Sequence, residues 1–222
     1  ADRLGKAVKK SLDQFQPFNS IGTGQAKVDR VASARRILTD GKIRTRWSAC
    51  TDPDLRAEPE GYIDPMLKTI TLAQNEKPLV RIHYYATHPQ SFYGDPRASY
   101  DFPGIAGETL QATENVFQIY FTGCAGDAAM GKYNDRSRRA RTELTERLLA
   151  GMEAAVAATR MVPVDRLQWV APQPEGDVVG GRRGPDGEVA ALGQTEFEEH
   201  GPLGGGEGHQ PGVTQHVALA DD

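Results

Sequence analysis

The sequence predicts an α/β fold, with a mixed β-sheet flanked by helices. Strand and helix patterns alternate in the order strand, helix, strand, helix, strand over residues 79–171, as they do in α/β proteins. Two of these strands are strong apolar runs that end in loops of small and polar residues. The composition then changes, because residues 172–222 contain 12 Gly and 5 Pro without a periodic apolar face. This segment predicts a low-order tail rather than a further packed layer.

The composition supports this division into residues 1–171, a partial α/β domain, and residues 172–222, an irregular Gly/Pro-rich tail. A chain of 222 residues is long enough for one sizeable domain. The hydrophobic fraction of 38% and the mean hydropathy of −0.53 are low for a fully packed globule. Part of the chain is therefore expected to lie outside the core.

The charge argues against nucleic-acid binding. The net charge is −4 and the isoelectric point is near 5.8, whereas nucleic-acid-binding domains usually carry a basic footprint. A basic run at residues 136–148 is interleaved with acids, which favours a solvated helix face over a phosphate or nucleic-acid patch. No apolar run reaches the ~18 residues of a membrane span.

Residues 1–15 predict a helix, because Leu4, Val8, Leu12 and Phe15 recur at helical spacing. A chain that begins inside a helix is expected to be a fragment. The absence of a targeting signal at its start therefore says little about location.

Short strands and turns follow. Residues 18–38 predict two short strands around Gly22 and Gly24. Residues 39–62 carry the turn signals "TDGK", "TDPD" and "EPEG". Alternating apolar residues predict a strand over 63–73.

The two strong strands come next. After the turn "NEKP", residues 79–88 form an apolar run with large side chains on both faces, typical of a central strand covered on two sides. Residues 104–114 predict a short helix. Residues 116–126 predict the second strong strand.

The longest helix is predicted over residues 134–160, with Asn134 or Asp135 as its N-cap. Residues 162–172 predict a further strand. The predicted buried stripe of the long helix comprises Leu144, Leu148, Met152 and Val156.

Two cysteines, Cys50 and Cys124, do not make a disulfide framework, and no CxxC motif is present. They either form one bridge or lie buried as two small hydrophobic residues.

His88 is the first candidate site residue, since it ends a strong strand and precedes Pro89. A neutral imidazole held there suits a metal ligand or a general base, and the alternative is a hydrogen-bonded structural histidine. His83 lies an odd number of residues away and is predicted on the opposite face. The spacing of the remaining histidines, which lie in the tail, matches no metal template: His200, His209 and His216.

The loop at residues 123–134 is the second candidate. Its small residues allow a ligand to approach the backbone, and Asp127 is able to orient a histidine or accept a proton. The alternative is a tight turn in which Asp127 binds backbone amides. It is not a phosphate loop, because Tyr133 stands where Ser or Thr must follow Lys132.

Two further positions carry candidate binding groups. Asp101 precedes a helix start, so it either caps the helix or binds a ligand. Arg35 and Arg36 are able to bind a carboxylate or a polar head group, with surface charge as the alternative.

Three stretches together resemble one family. Residues 84–106, 119–134 and 22–36 resemble the neutral/alkaline, non-lysosomal ceramidases, most strongly their bacterial branch. The resemblance covers about residues 20–160, with the motifs in the same order. None is found for residues 172–222.

The resemblance implies an incomplete part of a larger catalytic domain. The family is a zinc-dependent amidase that splits the N-acyl bond of ceramide, with zinc held by two histidines, a glutamate and a tyrosine. His88 stands where the second zinc histidine stands, and the other three ligands cannot be placed in this chain. Arg35 resembles the family's substrate-contacting arginine, and Asp101 matches a substrate-side position near Gly104.

The loop after the second strand departs from the family's Gly-Asp-x-Ser-Pro. Gly126 and Asp127 match and are assigned to catalysis by the resemblance, whereas Ala129 replaces the serine and Met130 the proline. Alanine is neither a nucleophile nor a hydrogen-bond donor. Either this branch relies on zinc-activated water directly, or its substrate is not ceramide.

The resulting prediction is a fragment of a zinc-dependent amide hydrolase that is inactive on its own. Its expected partner is a lipid or small amide substrate, reached at a membrane surface or in solution, and not a nucleic acid. The alternatives are a hydrolase of another amide or ester on the same scaffold, and a degenerate member that binds lipid without catalysis. By resemblance, the protein is secreted or periplasmic.

Overall fold

The computed structural model describes residues 2–165, and its mixed sheet with flanking helices confirms the predicted fold class. The helices are α1 (Asp2–Ser11), α2 (Pro53–Ala57), α3 (Asp101–Glu114) and α4 (Arg138–Ala157), with a 3₁₀ turn at Leu12–Gln14. The strands are β1 (Ser20–Lys27), β2 (Ser33–Ala34), β3 (Arg36–Thr39), β4 (Lys42–Thr45), β5 (Met66–Gln74), β6 (Lys77–Tyr85), β7 (Phe117–Thr122), β8 (Ala128–Ala129) and β9 (Arg160–Pro163).

The main sheet has five strands in the order β7-β6-β5-β1-β9. Neighbouring strands are antiparallel except β6 and β7, which are parallel and joined through α3. The predicted turn after β5 is a hairpin turn whose central residues, Asn75 and Glu76, have φ of 49° and 66°. Positive φ at both positions matches the twist of the two strands that the turn connects.

Helices α3 and α4 pack on one face of this sheet and enclose the core. The predicted stripe of α4 is confirmed, since Leu144, Leu148 and Met152 are fully buried and Val156 is partly buried. Gly24 allows the close approach of α4 to β1, because a Cβ there would lie 2.1 Å from the Ala155 carbonyl oxygen.

The second face of the sheet is also apolar. Ile82 and Tyr84 of β6 are half-buried there, and Phe121 of β7 stacks on Tyr84 with ring centroids 5.5 Å apart. Within residues 2–165 the packed helices lie on the first face of the sheet. The strand predicted at residues 79–88 to be covered on both faces is therefore covered by helices on one face in this range.

Helix α1 forms as predicted but buries none of its residues. Its apolar residue Leu4 is 71% accessible, and Phe15, which follows the 3₁₀ turn, is 80% accessible. No helix among residues 2–165 is long and apolar enough to cross a membrane.

Several predicted boundaries were wrong. Gly22 and Gly24 lie in one eight-residue strand, β1, rather than in two short ones. Helix α4 begins at Arg138, and its N-cap is Ser137, whose hydroxyl accepts a hydrogen bond from the Ala140 amide at 3.0 Å. The last strand, β9, begins at Arg160, earlier than predicted, and residues 166–172 of the predicted strand lie outside the described residues.

Other predictions concern the cysteines and the tail. Both cysteines are free, with Cys50 buried as predicted for a small hydrophobic residue and Cys124 exposed. The predicted tail at 172–222 lies outside the described residues, and the domain boundary at residue 171 stays a prediction.

Candidate active site

His88 lies three residues beyond the end of β6, where a short bridge pairs it with Ala129 of β8. Its backbone amide donates to the Ala128 carbonyl at 3.1 Å, and its ring Nδ1 lies 2.9 Å from the same oxygen. Because a carbonyl oxygen can only accept, Nδ1 carries the proton. The lone pair of His88 is therefore on Nε2.

His83 is used differently. It is fully buried, with Nδ1 2.8 Å from Thr69 Oγ1 and Nε2 2.8 Å from Gln118 Oε1. Burial lowers the pKa of this imidazole. Both ring nitrogens are occupied, so His83 has no free group for a ligand, which agrees with its predicted separation from His88.

His88 lines a cavity of about 760 Å³ beyond the end of β6. This matches the expectation that α/β proteins place ligands past the carboxyl ends of strands. The site that we call the His88 pocket includes Arg35, Trp47, His88, Ser91, Phe92 and Arg136 among its lining residues.

In this pocket the Arg35 side chain lies on the Trp47 ring and its backbone is hydrogen-bonded on both sides. Its guanidinium carbon lies 5.1 Å from the centre of the Trp47 ring, within cation–π range. Its amide donates to the Asp127 carbonyl at 2.7 Å, and its own carbonyl accepts from the Arg46 amide at 2.7 Å. Arg46 is fully buried, and its guanidinium donates hydrogen bonds to backbone carbonyls, including that of Ala34 at 3.2 Å.

Asp127 forms an ion pair with Arg36, the residue after Arg35. Its carboxylate binds Arg36 Nη1 at 2.7 Å, so the predicted contact with a histidine is made instead by the carbonyl of the next residue, Ala128. Gly126 lies in the exposed turn before it, with no atom within 4 Å of where a Cβ would stand. The catalytic assignment of Gly126 and Asp127 stays a prediction.

Asp101 lies behind the pocket rather than on its lining. Its carboxylate accepts from the amide of Ser91 at 2.9 Å, from the Ser91 hydroxyl through a short hydrogen bond, and from the Phe102 amide at 2.7 Å. Asp101 thus joins the start of α3 to Ser91. Direct substrate contact by Asp101 stays a prediction.

Asn134 was missed as a site residue, because its place before a helical pattern suggested a cap. It is fully buried, and its Nδ2 donates to the carbonyls of Ser48 and Ser91, each at 2.8 Å. Ser48 and Ser91 both line the His88 pocket, so Asn134 joins two segments of its wall. The sequence signal that could have indicated this role is the segment of small and polar residues that ends at Asn134. The hydrogen-bond partners of Asn134 are far away in sequence, so the signal did not identify them.

Ala129, which replaces the family's serine, is 1% exposed. Its carbonyl accepts from the Ser33 hydroxyl at 3.0 Å in the pairing of β2 with β8. Nearby, Gly131 passes under Trp47, since a Cβ there would lie 2.1 Å from the Trp47 carbonyl oxygen.

The site contributes one histidine to any metal centre. No group of three or more His, Cys, Asp or Glu side chains suited to a metal ion occurs within residues 2–165. A complete zinc site would need ligands from elsewhere.

An α/β domain with a histidine at the carboxyl end of a central strand is thus the class that the fold and site define. Among solved structures, the chain is similar to neutral ceramidase from Pseudomonas aeruginosa, with a TM-score of 0.50 and 16% identity over 68% of this chain. A ceramidase complexed with C2 gives a TM-score of 0.49 at 15% identity, over 67% of this chain.

The similarity to the Pseudomonas aeruginosa ceramidase confirms the predicted resemblance at the level of the fold. The chain spans about a quarter of the ceramidase structures, 24% of each. No protein-family model matches the sequence, and no curated protein matches it.

Proposed function

We propose that the chain is part of a zinc-dependent amide hydrolase with a ceramidase-like fold. The single observation that carries this proposal is the geometry of His88. Its Nδ1–H is bound to the Ala128 carbonyl, Nε2 is left as the free donor atom, and His88 lines the pocket. Histidine ligands of metals typically use their second ring nitrogen in this way.

The donor chemistry fits zinc, for which imidazole nitrogen is a preferred ligand. His88 would hold the ion together with ligands from outside residues 2–165. When bound, zinc supplies Lewis acidity, which polarises a scissile carbonyl and favours the ionisation of water.

The residues of the chain itself would bind and orient the substrate. Arg35, fixed on Trp47, would hold its polar end. Asn134 would keep the two walls of the pocket at a constant separation, since it donates to both. Asp127 would act through Arg36, which it binds, rather than at the reacting amide.

The substrate is either ceramide or another amide or ester. The second alternative is favoured by Ala129, which offers no hydroxyl and is buried. We therefore expect turnover not to depend on a side chain at position 129.

Zinc titration by calorimetry tests the ligand. The background variant replaces His200, His209 and His216 by Ala, so that tail histidines do not contribute. We expect weak binding, because one ligand is present within residues 2–165, and its loss in His88→Ala. Nanomolar affinity that disappears in His88→Ala would show that further ligands lie within the chain.

Hydrolysis is tested with the longest gene product that carries this chain. Its zinc-loaded form is assayed against ceramides and simpler N-acyl amides. Turnover that requires both zinc and His88 supports the proposal. Turnover that survives the removal of zinc, or His88→Ala, contradicts it.

A further inference from the structure

Two guanidinium groups in the His88 pocket lack an acidic partner. Arg35 and Arg136 both line the pocket, and neither forms an ion pair with another residue in the described range 2–165. A cation placed in a pocket without a counter-ion favours an anionic ligand.

Two acids beside the pocket are paired with other arginines. Asp127 lies beside Arg35 in the fold, but its carboxylate binds Arg36 at 2.7 Å. Asp95 also lines the pocket, and Arg97 occupies both of its oxygens, at 2.9 Å and 2.6 Å. Of the two arginines at 35 and 36, the structure thus leaves Arg35 available for a ligand.

Arg35 is prepared for a planar anion. The Trp47 ring supports its guanidinium from one side, and hydrogen bonds to Asp127 and from Arg46 fix its backbone. A guanidinium fixed in this way retains its paired N–H donors for a carboxylate, which matches their spacing. A neutral hydroxyl would use at most part of this arrangement.

The walls of the pocket are aromatic. Trp47 is 60% exposed, and Phe92 is held in place by Arg141, whose guanidinium carbon lies 4.9 Å from the centre of the Phe92 ring. Aromatic walls next to a fixed cation suit a ligand with an apolar chain and a charged end.

We infer that the pocket takes amides that carry a carboxylate, such as N-acyl amino acids, with Arg35 as the main anchor and Arg136 as the second. This inference rests on the proposed function for the reaction, but the recognition itself needs no zinc. The acyl chain would lie along Trp47 and Phe92. The amide would then lie between Arg35 and His88, which line the same pocket.

Binding to the 222-residue chain tests the inference without zinc. Trp47 emission reports binding, and Trp169→Phe removes the second tryptophan signal. The probes are N-octanoylglycine, the neutral N-octanoylethanolamine, and N-octanoylphosphoethanolamine, all measured in chelator at moderate salt. We expect the carboxylate probe to bind at least about tenfold more tightly than the neutral probe, because charge-assisted hydrogen bonds are the stronger ones.

Matched variants locate the anchor. Arg35→Gln should abolish the preference, Arg35→Lys should retain part of it, and Arg136→Gln should reduce it less. Arg139→Gln is the control, since Arg139 is exposed on α4 and pairs with Glu143. Thermal unfolding confirms that each variant is folded.

Three results would overturn the inference: equal affinity for the charged and neutral probes, a preference that survives Arg35→Gln, or no binding of any probe. Tighter binding of the phosphate probe would overturn the choice of carboxylate. These outcomes leave zinc-dependent hydrolysis untouched, and a failure of hydrolysis leaves the binding preference measurable. The two proposals can therefore fail separately.

Discussion

His83 and His88 lie five residues apart near the same end of β6, yet the structure uses them in opposite ways. Both ring nitrogens of His83 are occupied, and the side chain is fully buried. His88 is half-buried, and its Nδ1 is held by one backbone carbonyl. The residue type does not set the role. The role depends on whether neighbouring strands bring a second polar partner to the ring.

The largest expected effect on stability comes from replacing the buried histidine, His83. His83→Ala should lower the free energy of unfolding by about 2–4 kcal/mol, because it opens a cavity and leaves Thr69 and Gln118 without their partner. His88→Ala is the matched control, with an expected loss below about 1 kcal/mol at the half-buried rim. Urea denaturation of both variants measures the difference. Equal losses would mean that the two rings are equally structural.

The buried histidine, His83, should also couple stability to pH. Burial lowers the pKa of His83 below its ordinary value of 6.5, Arg81 adds to this, and Gln118 and Glu114 act against it. The unfolded chain therefore takes up this proton first. The contribution of His83 to the free energy of unfolding is fully present above pH 6.5. It declines as the pH falls towards the folded pKa, by up to about 1.4 kcal/mol per pH unit.

His83→Gln isolates this contribution, because every other titrating group is common to both proteins. We expect the wild-type protein to lose more stability than His83→Gln between pH 6.5 and 5. Carboxylates with lowered pKa values, such as Asp52 and Glu143, lose their contribution at lower pH. Parallel stability profiles over this range would contradict the prediction.

A third substitution tests whether Asn134 holds together the part of the pocket that surrounds His88. Asn134→Ala removes two 2.8 Å hydrogen bonds to the carbonyls of Ser48 and Ser91, and should cost about 1–3 kcal/mol. Asn134→Asp should cost at least as much, because a carboxylate cannot donate to these carbonyls. Chemical denaturation measures the cost, and Trp47 emission reports whether the wall has moved. Unchanged stability and emission would show that Asn134 does not join the walls.

The sequence was sufficient to predict the features that depend on local pattern. The strong strands and the buried stripe of α4 follow from periodicity. The strand that was predicted to run to His88 ends at Tyr85, so alternation along a strand does not decide the face on which His88 lies.

Features that depend on distant partners were not predictable. Asn134 resembles a helix cap in sequence, and its role comes from carbonyls 43 and 86 residues away. The apolar stripes of residues 1–15 and of α4 look alike in sequence, but α4 packs on the sheet while Leu4 and Phe15 stay exposed. The periodicity of apolar residues predicts that a helix has an apolar face, but it does not predict which element packs against that face.

The smallest expected effect concerns Asp127, whose carboxylate binds Arg36 and neither histidine. Its ion pair with Arg36 is exposed, with 62% and 41% of the two side chains accessible, so Asp127→Asn should cost less than about 1 kcal/mol. His88 should keep its orientation, because its ring is held by the Ala128 carbonyl. In the zinc-loaded gene product, a positioning role predicts a raised KM with kcat nearly unchanged, and Arg36→Gln should reproduce this pattern. A fall in kcat of about 100-fold or more in Asp127→Asn alone would instead show that the carboxylate acts on the reacting atoms, as a general acid or base does.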